Sequence, residues 1–203
     1  MLLTEKDFHE FIESFIEILE KKDAYTRGHS NRVAHYAMEI AKKMNLSREE
    51  IELAHITGHL HDIGKIGIPD SILSKNGNLN NFEFDLIKKH SEFGYNILNK
   101  VSVLKEHALI VKYHHERWDG MGYPSGLKGK DIPLISRIIS VADSFDAMTS
   151  SRSYRKALDD SFAIKELEKN SWKQFDGEIV EVFLREVLPQ FITPKINNYT
   201  LAY

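Results

Sequence analysis

The 203-residue sequence contains no cysteine. This absence excludes disulfide bonds, thiolate metal ligands and cysteine nucleophiles, so any metal must be held by nitrogen and oxygen atoms. Long apolar runs are also missing, since none approaches the roughly 18 residues of a membrane span. The N-terminal residues turn acidic by Asp7, which is too early for a secretory signal. We therefore expect a cytoplasmic protein without a membrane span.

A strong charge of one sign is lacking as well. Lys and Arg number 27 against 30 Asp and Glu, which leaves a net charge of -3. The field of the whole protein therefore does not attract a polyanion, and we expect no nucleic-acid partner. Hydrophobic residues make up 42% of the chain and charged residues 28%, which is typical of a globular domain and not of a disordered one.

The apolar residues follow a helical period. Between residues 8 and 19 they recur at steps of three and four, which predicts one apolar helical face. Ser47 and Asn80, each with a glutamate three residues later, predict capping boxes. Ser161 and Asp176 are candidate N-caps of the last two helices.

Strand-like alternation of useful length does not occur, so the sequence predicts an all-α fold of roughly seven helices. Two irregular stretches interrupt the helical pattern, residues 64–77 and the glycine-rich residues 119–129. Loops of this kind either carry function or link elements.

The sequence contains ten histidines, several of them at predicted helix ends or beside aspartates. A doublet such as His61-Asp62 converges on one centre most easily where a helix ends, and Gly64 is expected to supply the turn. Imidazoles and carboxylates together suit iron, manganese, nickel, cobalt or zinc. The candidate metal ligands are His29, His61, Asp62, His90, His114, His115 and Asp143.

Seven such ligands are too many for one ion and enough for two. Two ions about 3.5–4 Å apart lower the pKa of a bridging water and stabilise both the attacking and the leaving oxygen of a phosphoryl displacement. The ligand set therefore favours phosphoester hydrolysis at a dinuclear centre.

The other histidines are interpreted as ordinary surface or core residues. His55 and His59 have the i, i+4 spacing of a helical metal pair. However, His59 and His61 face roughly opposite sides of one helix, so they cannot both serve one site. We favour His61 because Asp62 stands beside it. The histidines assigned to ordinary positions are His9, His35, His55, His59 and His107.

Four segments of the sequence carry a family resemblance. Residues 61–70 read HDIGKIGIPD, and residues 114–124 read HHERWDGMGYP. Together with residues 137–143 (RIISVAD) and 146–150 (DAMTS), they resemble the HD-GYP family of the HD phosphohydrolase superfamily, and the resemblance covers residues 23–183.

Members of this family degrade the second messenger cyclic di-GMP, and some act on related cyclic dinucleotides. The resemblance therefore implies a phosphodiesterase that hydrolyses cyclic di-GMP to linear pGpG, or further to GMP, by a metal-bridging hydroxide. It also implies a single HD-type helical domain over residues 23–190, with an N-terminal helix at 1–22 and a tail at 191–203.

By the same resemblance, the seven candidate ligands match the family's metal-binding positions. Asp62 bridges the two metal ions, and Lys65 contacts the phosphate and acts in catalysis. Tyr123 lines the nucleotide pocket. Arg152 and Arg155 grip the second phosphate.

One position departs from some members of the family. Members with three metals have a glutamate four residues before the first histidine ligand, and this sequence has Tyr25 there. A phenol is a poor ligand for a hard divalent ion. Two divalent ions are therefore expected, with iron or manganese favoured over nickel, cobalt and zinc.

Three alternatives stay open: a catalytically silent cyclic di-GMP sensor, a purely structural metal domain, and an HD-type phosphohydrolase acting on another nucleotide. An inactive sensor would be expected to have lost ligands or Lys65, and none of these is missing. Candidate partners are a sensory or receiver domain, a diguanylate cyclase-type protein and a second copy of the chain.

Overall fold

The computed structural model describes residues 5–22, 28–75, 77–150 and 157–192. Within these ranges α-helix dominates and no β-strand is present, so the predicted all-α fold is confirmed. The α-helices are α1 Glu5–Lys22, α2 His29–Lys43, α3 Arg48–Leu60, α4 Asp70–Leu73, α5 Asn81–Lys88, α6 His90–Leu98, α7 Lys105–Tyr113, α8 Leu134–Thr149, α9 Asp160–Asn170 and α10 Gly177–Val182. Short 3-10 segments lie at Ile63–Gly67, Ser102–Leu104, Gly129–Asp131 and Leu188–Gln190, and a π-helical turn lies at Phe183–Val187.

The described residues contain ten α-helices where the sequence predicted roughly seven. The short helix α4 and the 3-10 segment before it occupy much of the stretch 64–77, which was predicted to be irregular. Helices α5 and α6 are separated by Lys89 alone, and this break sets His90 at the start of α6.

The capping boxes predicted from the sequence are confirmed. The Ser47 hydroxyl accepts from the Glu50 amide at 3.2 Å, and the Glu50 carboxylate accepts from the Ser47 amide at 2.9 Å. Asn80 forms the corresponding box at the start of α5. The N-cap assigned to Ser161 is wrong, because the Asp159 carboxylate caps α9 and accepts a hydrogen bond from the Ser161 amide.

The segment after α9 anchors the start of the glycine-rich stretch 119–129. The Trp118 amide donates to the Gln174 carbonyl at 3.0 Å. Asp176 caps α10 as predicted, and it also pairs with the Arg137 guanidinium of α8. The stretch therefore begins from a fixed point between α8 and α10.

Buried side chains form two hydrophobic clusters. The larger cluster lies between α2, α8 and the C-terminal helices and includes the fully buried Ile40, Ile139 and Phe183. The smaller cluster lies between α1, α3, α6 and α7 and includes Ile12 and Val111. Full burial of one such side chain contributes about 1.5–3 kcal/mol. The two clusters therefore fix the helices whose ends carry the candidate ligands.

The predicted division of the chain at residues 23 and 191 stays a prediction. Helix α1 ends at Lys22 and packs into the smaller cluster through Ile12 and Ile16. Residues 193–203 lie outside the described ranges. In the part of the chain that is described, no helix is long and apolar enough to cross a membrane.

Gly64 follows the His61-Asp62 doublet, where it was expected to supply the turn of the chain. Its φ is not positive, and it lies within a 3-10 segment. A Cβ at this position would stand 1.8 Å from the His90 carbonyl oxygen and 2.5 Å from the Gly94 amide nitrogen. The missing side chain therefore allows close backbone contact with α6.

Gly64→Ala is predicted to destabilise the fold, because the backbone of α6 must move to admit the methyl group. We expect the free energy of unfolding to fall by about 1–3 kcal/mol, the usual cost of overpacking. Gly67→Ala is the matched control, since the nearest atoms to its Cβ belong to the Phe93 ring, at 2.8 Å, which can rotate away. Urea unfolding followed by circular dichroism measures both variants. An equal loss in the two would contradict the backbone explanation.

Candidate metal centre

The seven candidate ligands lie at converging helix ends and on one long helix. His29 is the first residue of α2, and His90 is the first residue of α6. The remaining ligands come from three other places in the chain. His61 and Asp62 follow α3, His114 and His115 follow α7, and Asp143 lies within α8. The structure therefore brings together all seven side chains that the sequence singled out.

Two groups of ligand atoms form around Asp62. The first group consists of His90, His114 and His115, and the second group of His29, His61 and Asp143. Within each group the ligand atoms lie within 4.8 Å of one another. Such spacing suits coordination of one ion by each group.

The Asp62 carboxylate faces both groups with different oxygens. Its Oδ1 lies 3.5 Å from His90 Nε2 of the first group. Its Oδ2 lies 3.5 Å from His61 Nε2 and 3.8 Å from His29 Nε2 of the second group. A carboxylate in this position can bind one ion with each oxygen.

Backbone carbonyls orient three of the histidine rings. His61, His90 and His114 each have Nδ1 2.6–2.7 Å from the carbonyl oxygen of the residue three positions earlier. A carbonyl can only accept, so Nδ1 carries the hydrogen and Nε2 presents its lone pair to the site. This is the arrangement that metal-binding histidines need.

The resulting cluster of acceptors fits a divalent cation. His90 Nε2 and His114 Nε2 lie 3.4 Å apart, although both are acceptors in the neutral rings. His61 Nε2 is buried, and no hydrogen-bond partner for it occurs among the described residues. Burial lowers the pKa of His90, and it lowers the pKa of His114 well below the usual value. Buried lone pairs facing one another are costly unless a cation binds them.

The carboxylates of the site keep their charge despite burial. Burial alone would raise the pKa of Asp62, but Lys65 and His61 hold it well below its usual value. The pKa of Asp143 is also lowered, because the hydrogen bond from His29 outweighs the effect of burial. Two ionised carboxylates beside the neutral rings of His90 and His114 can bind a cation.

His29 is oriented by a carboxylate and not by a backbone carbonyl. Its Nδ1 lies 2.7 Å from Asp146 Oδ2, and its Nε2 lies 3.3 Å from Asp143 Oδ1. Burial lowers the pKa of His29, but the hydrogen bonds with these two aspartates outweigh it and raise the pKa to about 9. Asp146 is itself held by Arg32, whose Nη2 donates to Asp146 Oδ2 at 3.0 Å and to the Ser150 hydroxyl at 2.9 Å.

Sequence reasoning assigned no role to Asp146 or Arg32. The available signal was the spacing of Asp146 three residues after Asp143, which places both on one side of α8. Asp146 is almost fully buried, and its contacts reach residues more than a hundred positions earlier in the chain.

Lys65 and Tyr123 lie at the edge of the centre. Lys65 Nζ is 2.8 Å from Asp62 Oδ2 and only partly exposed. The Tyr123 ring packs on the His115 ring with centroids 4.9 Å apart. Gly122 allows this packing, because a Cβ there would stand 2.4 Å from the Arg117 amide nitrogen.

Four of the histidines assigned to ordinary positions belong to neither ligand group. The His107 ring is hydrogen-bonded to the buried Thr57, and His35 packs edge-on against Phe191. His55 and His59 contact each other on α3, with their Nε2 atoms 3.3 Å apart. The side chain of His9 and the residues Tyr25, Arg152 and Arg155 lie outside what the structure describes.

Comparison with known proteins identifies the family. The family model described as HD domain matches residues 13–179. The chain belongs to the HD domain family. The resemblance to its HD-GYP branch, predicted from the four sequence segments, is also confirmed.

Two curated bacterial proteins are similar to this HD domain over most of its length. The cyclic di-GMP phosphodiesterase of Thermotoga maritima is 42% identical over 187 residues, which cover 88% of this chain and 50% of that protein. The cyclic di-GMP phosphodiesterase response regulator RpfG of Xanthomonas campestris pv. campestris is 40% identical, covering 82% of this chain and 45% of that protein. The chain spans about half the length of these relatives.

One solved structure is similar in both fold and sequence. The cyclic GMP-AMP specific phosphodiesterase V-cGAP3 of V. cholerae has a TM-score of 0.59 and 31% identity. The match covers 95% of this chain and 43% of that chain. The helical arrangement of the HD domain is therefore shared with this solved structure.

Asp146→Asn is predicted to weaken metal binding at the second ligand group. The amide is a weaker acceptor than the carboxylate for His29 Nδ1–H, and it loses the charge that holds Arg32. We expect affinity to fall by about 10–100-fold, the usual effect of losing such an outer contact. Calorimetric titration of metal-free protein with Mn²⁺ measures this, and circular dichroism checks the fold. The control is Asp131→Asn at an exposed carboxylate, and equal titration curves for the two variants would refute the role.

Proposed function

We propose that this HD domain is a metal-dependent phosphodiesterase that hydrolyses cyclic di-GMP at a dinuclear centre. The observation that carries the proposal is the placement of Asp62 between the two ligand groups, with one carboxylate oxygen toward each. A bridging carboxylate between two sets of nitrogen ligands suits in-line displacement at phosphorus. The complete ligand set favours catalysis over a silent sensor.

The substrate class is supported by the relatives. The proteins from Thermotoga maritima and Xanthomonas campestris are named for cyclic di-GMP, and the V. cholerae structure for cyclic GMP-AMP. Their shared substrate class is a cyclic dinucleotide, which makes a linear nucleotide the weaker candidate. Cyclic di-GMP is our finer proposal within this class, with linear pGpG as the first product.

The residues of the chain divide the chemical work. Two divalent ions, iron or manganese in our proposal, would supply a hydroxide nucleophile and positive charge for the phosphoryl oxygens. Asp62 and Asp143 contribute the negative charge, and His61, His90 and His114 contribute lone pairs whose direction is fixed by their Nδ1 contacts. Lys65 brings an ammonium next to the Asp62 carboxylate, where it can donate to a phosphoryl oxygen.

Other parts of the proposal concern the setting of the domain. A cytoplasmic location, an attached sensory or receiver domain, a diguanylate cyclase-type partner and a homodimer all stay predictions. The matched relatives are longer than this chain, so their activities and partners belong to whole proteins that the chain only partly spans.

Asp62→Ala is predicted to abolish turnover of cyclic di-GMP. The substitution removes a ligand shared by both ions, so we expect a loss greater than about 100-fold, beyond the effect of losing an outer contact alone. The measurement is turnover with Mn²⁺ restored, alongside the metal content of each protein. Asp131→Ala serves as the control and should retain full turnover. Activity of the Asp62 variant within a few fold of the parent protein would exclude the bridging role.

Lys65 and the arginine pair are predicted to act on different phosphates. Lys65 lies beside Asp62, so its ammonium should meet the phosphoryl group under attack, where charge grows in the transition state. Lys65→Ala should therefore lower kcat on the order of 10²–10³-fold, as loss of one oxyanion donor does. By the family resemblance, Arg152→Ala and Arg155→Ala should mainly raise KM.

Single-turnover kinetics and equilibrium binding of cyclic di-GMP separate these effects. Lys89→Ala is the control, because Lys89 is exposed and pairs with Glu92 at 2.8 Å. Arginine variants that bind as tightly as the parent protein would contradict the division of labour. A Lys65 variant that loses affinity alone would contradict it as well.

A further inference from the structure

A cavity of about 360 Å³ opens beside the candidate metal centre. His115 and Tyr123 line it on the side of the centre, and Ser140 of α8 contributes to another wall. The last turn of α5 lines the cavity as well, through Phe84 and Lys88. The cavity therefore begins where the ligand groups end, and its volume lies within the range of small-molecule pockets.

Lys88 holds its ammonium near two aromatic rings of this cavity. Its Nζ lies 4.6 Å from the centroid of the Phe84 ring and 6.0 Å from the centroid of the Tyr123 ring. Its ion pair with Asp85, at 2.8 Å, joins it to a largely exposed carboxylate. Exposed pairs of this kind contribute little stability, so the ammonium can exchange Asp85 for a substrate atom at small cost.

The chemistry of these side chains distinguishes the two purines. Aromatic rings stack on any base and give no selectivity. An ammonium only donates hydrogen bonds, and guanine presents two acceptors, N7 and O6, on one edge. Adenine presents an acceptor at N7 but an amino donor at N6, which opposes an ammonium.

We propose that this cavity binds one base of the cyclic dinucleotide and that Lys88 selects guanine there. The inference rests on the proposed phosphodiesterase function and deepens it, since it names the residue that sets base preference. Phe84 and Tyr123 provide the stacking surface. Lys65 remains the cation of the reacting phosphate, because it lies beside Asp62.

Selection of one base also selects the bond that is cut. In hydrolysis the water oxygen bonds to phosphorus, the P–O3′ bond breaks, and the departing 3′ oxygen takes a proton. A mixed cyclic GMP-AMP contains two different bonds of this kind. If guanine occupies the cavity, one of them is placed at the ligand groups, so one linear isomer should predominate.

The test compares Lys88→Met, which keeps the aliphatic stem, with the parent protein. For cyclic di-GMP we expect kcat/KM to fall on the order of tenfold, and for cyclic di-AMP by less than about twofold, as loss of one charged hydrogen bond predicts. With 3′3′-cyclic GMP-AMP, the two linear isomers pGpA and pApG should shift toward equal amounts. Lys89→Met is the control and should leave rates and isomer ratio unchanged.

Two outcomes would overturn the inference, and a third would support it without any turnover. An equal loss on all three dinucleotides with an unchanged isomer ratio would show a phosphate contact and overturn it. Unchanged kinetics of Lys88→Met would also overturn it. Calorimetric binding of the three dinucleotides to metal-free protein separates the two proposals. A guanine preference in binding that Lys88→Met removes would support the base contact even if the parent protein hydrolyses none of the three dinucleotides. That absence of hydrolysis would contradict the proposed function alone.

Discussion

Mutual repulsion among buried hydrogen-bond acceptors is the constraint around which this domain is arranged. The lone pairs of three imidazoles point inward because the Nδ1 atoms of His61, His90 and His114 donate to backbone carbonyls. Two charged carboxylates, Asp62 and Asp143, face the same centre. Folding of the two hydrophobic clusters supplies the free energy that holds these groups together, and a cation bound there would relieve their repulsion.

This constraint acts through helix ends held close together. Helices end where backbone direction changes, so two neighbouring side chains such as His61 and Asp62 can address one centre from a single terminus. Close approach of these backbone segments requires glycine at the points of contact. Gly64 lets the turn after α3 lie against α6, and Gly122 lets Tyr123 pack on His115. Changes at these glycines should therefore reach the centre although neither contributes a ligand.

Local features of the sequence were enough to predict the all-α fold with most of its helices, and to single out the seven candidate ligands. Apolar period, capping boxes and histidines at helix ends depend on residues within a few positions of one another. The Ser161 cap failed because α9 begins before Ser161, with Asp159 as its N-cap accepting from the Ser161 amide, and periodicity does not rank two nearby caps. The role of Asp146 was not predicted because its partner His29 lies 117 positions away in the chain, and only the fold brings the two together. The position of Lys88 near the Tyr123 ring depends on tertiary packing in the same way.

The proposed function depends on Asp62 joining two metal ions into one reactive centre. Anomalous diffraction from crystals of the protein grown with Mn²⁺ tests this arrangement. Two peaks about 3.5–4 Å apart are expected, one at each ligand group, with one Asp62 oxygen bound to each. A single peak, or two peaks of which only one contacts Asp62, would contradict it.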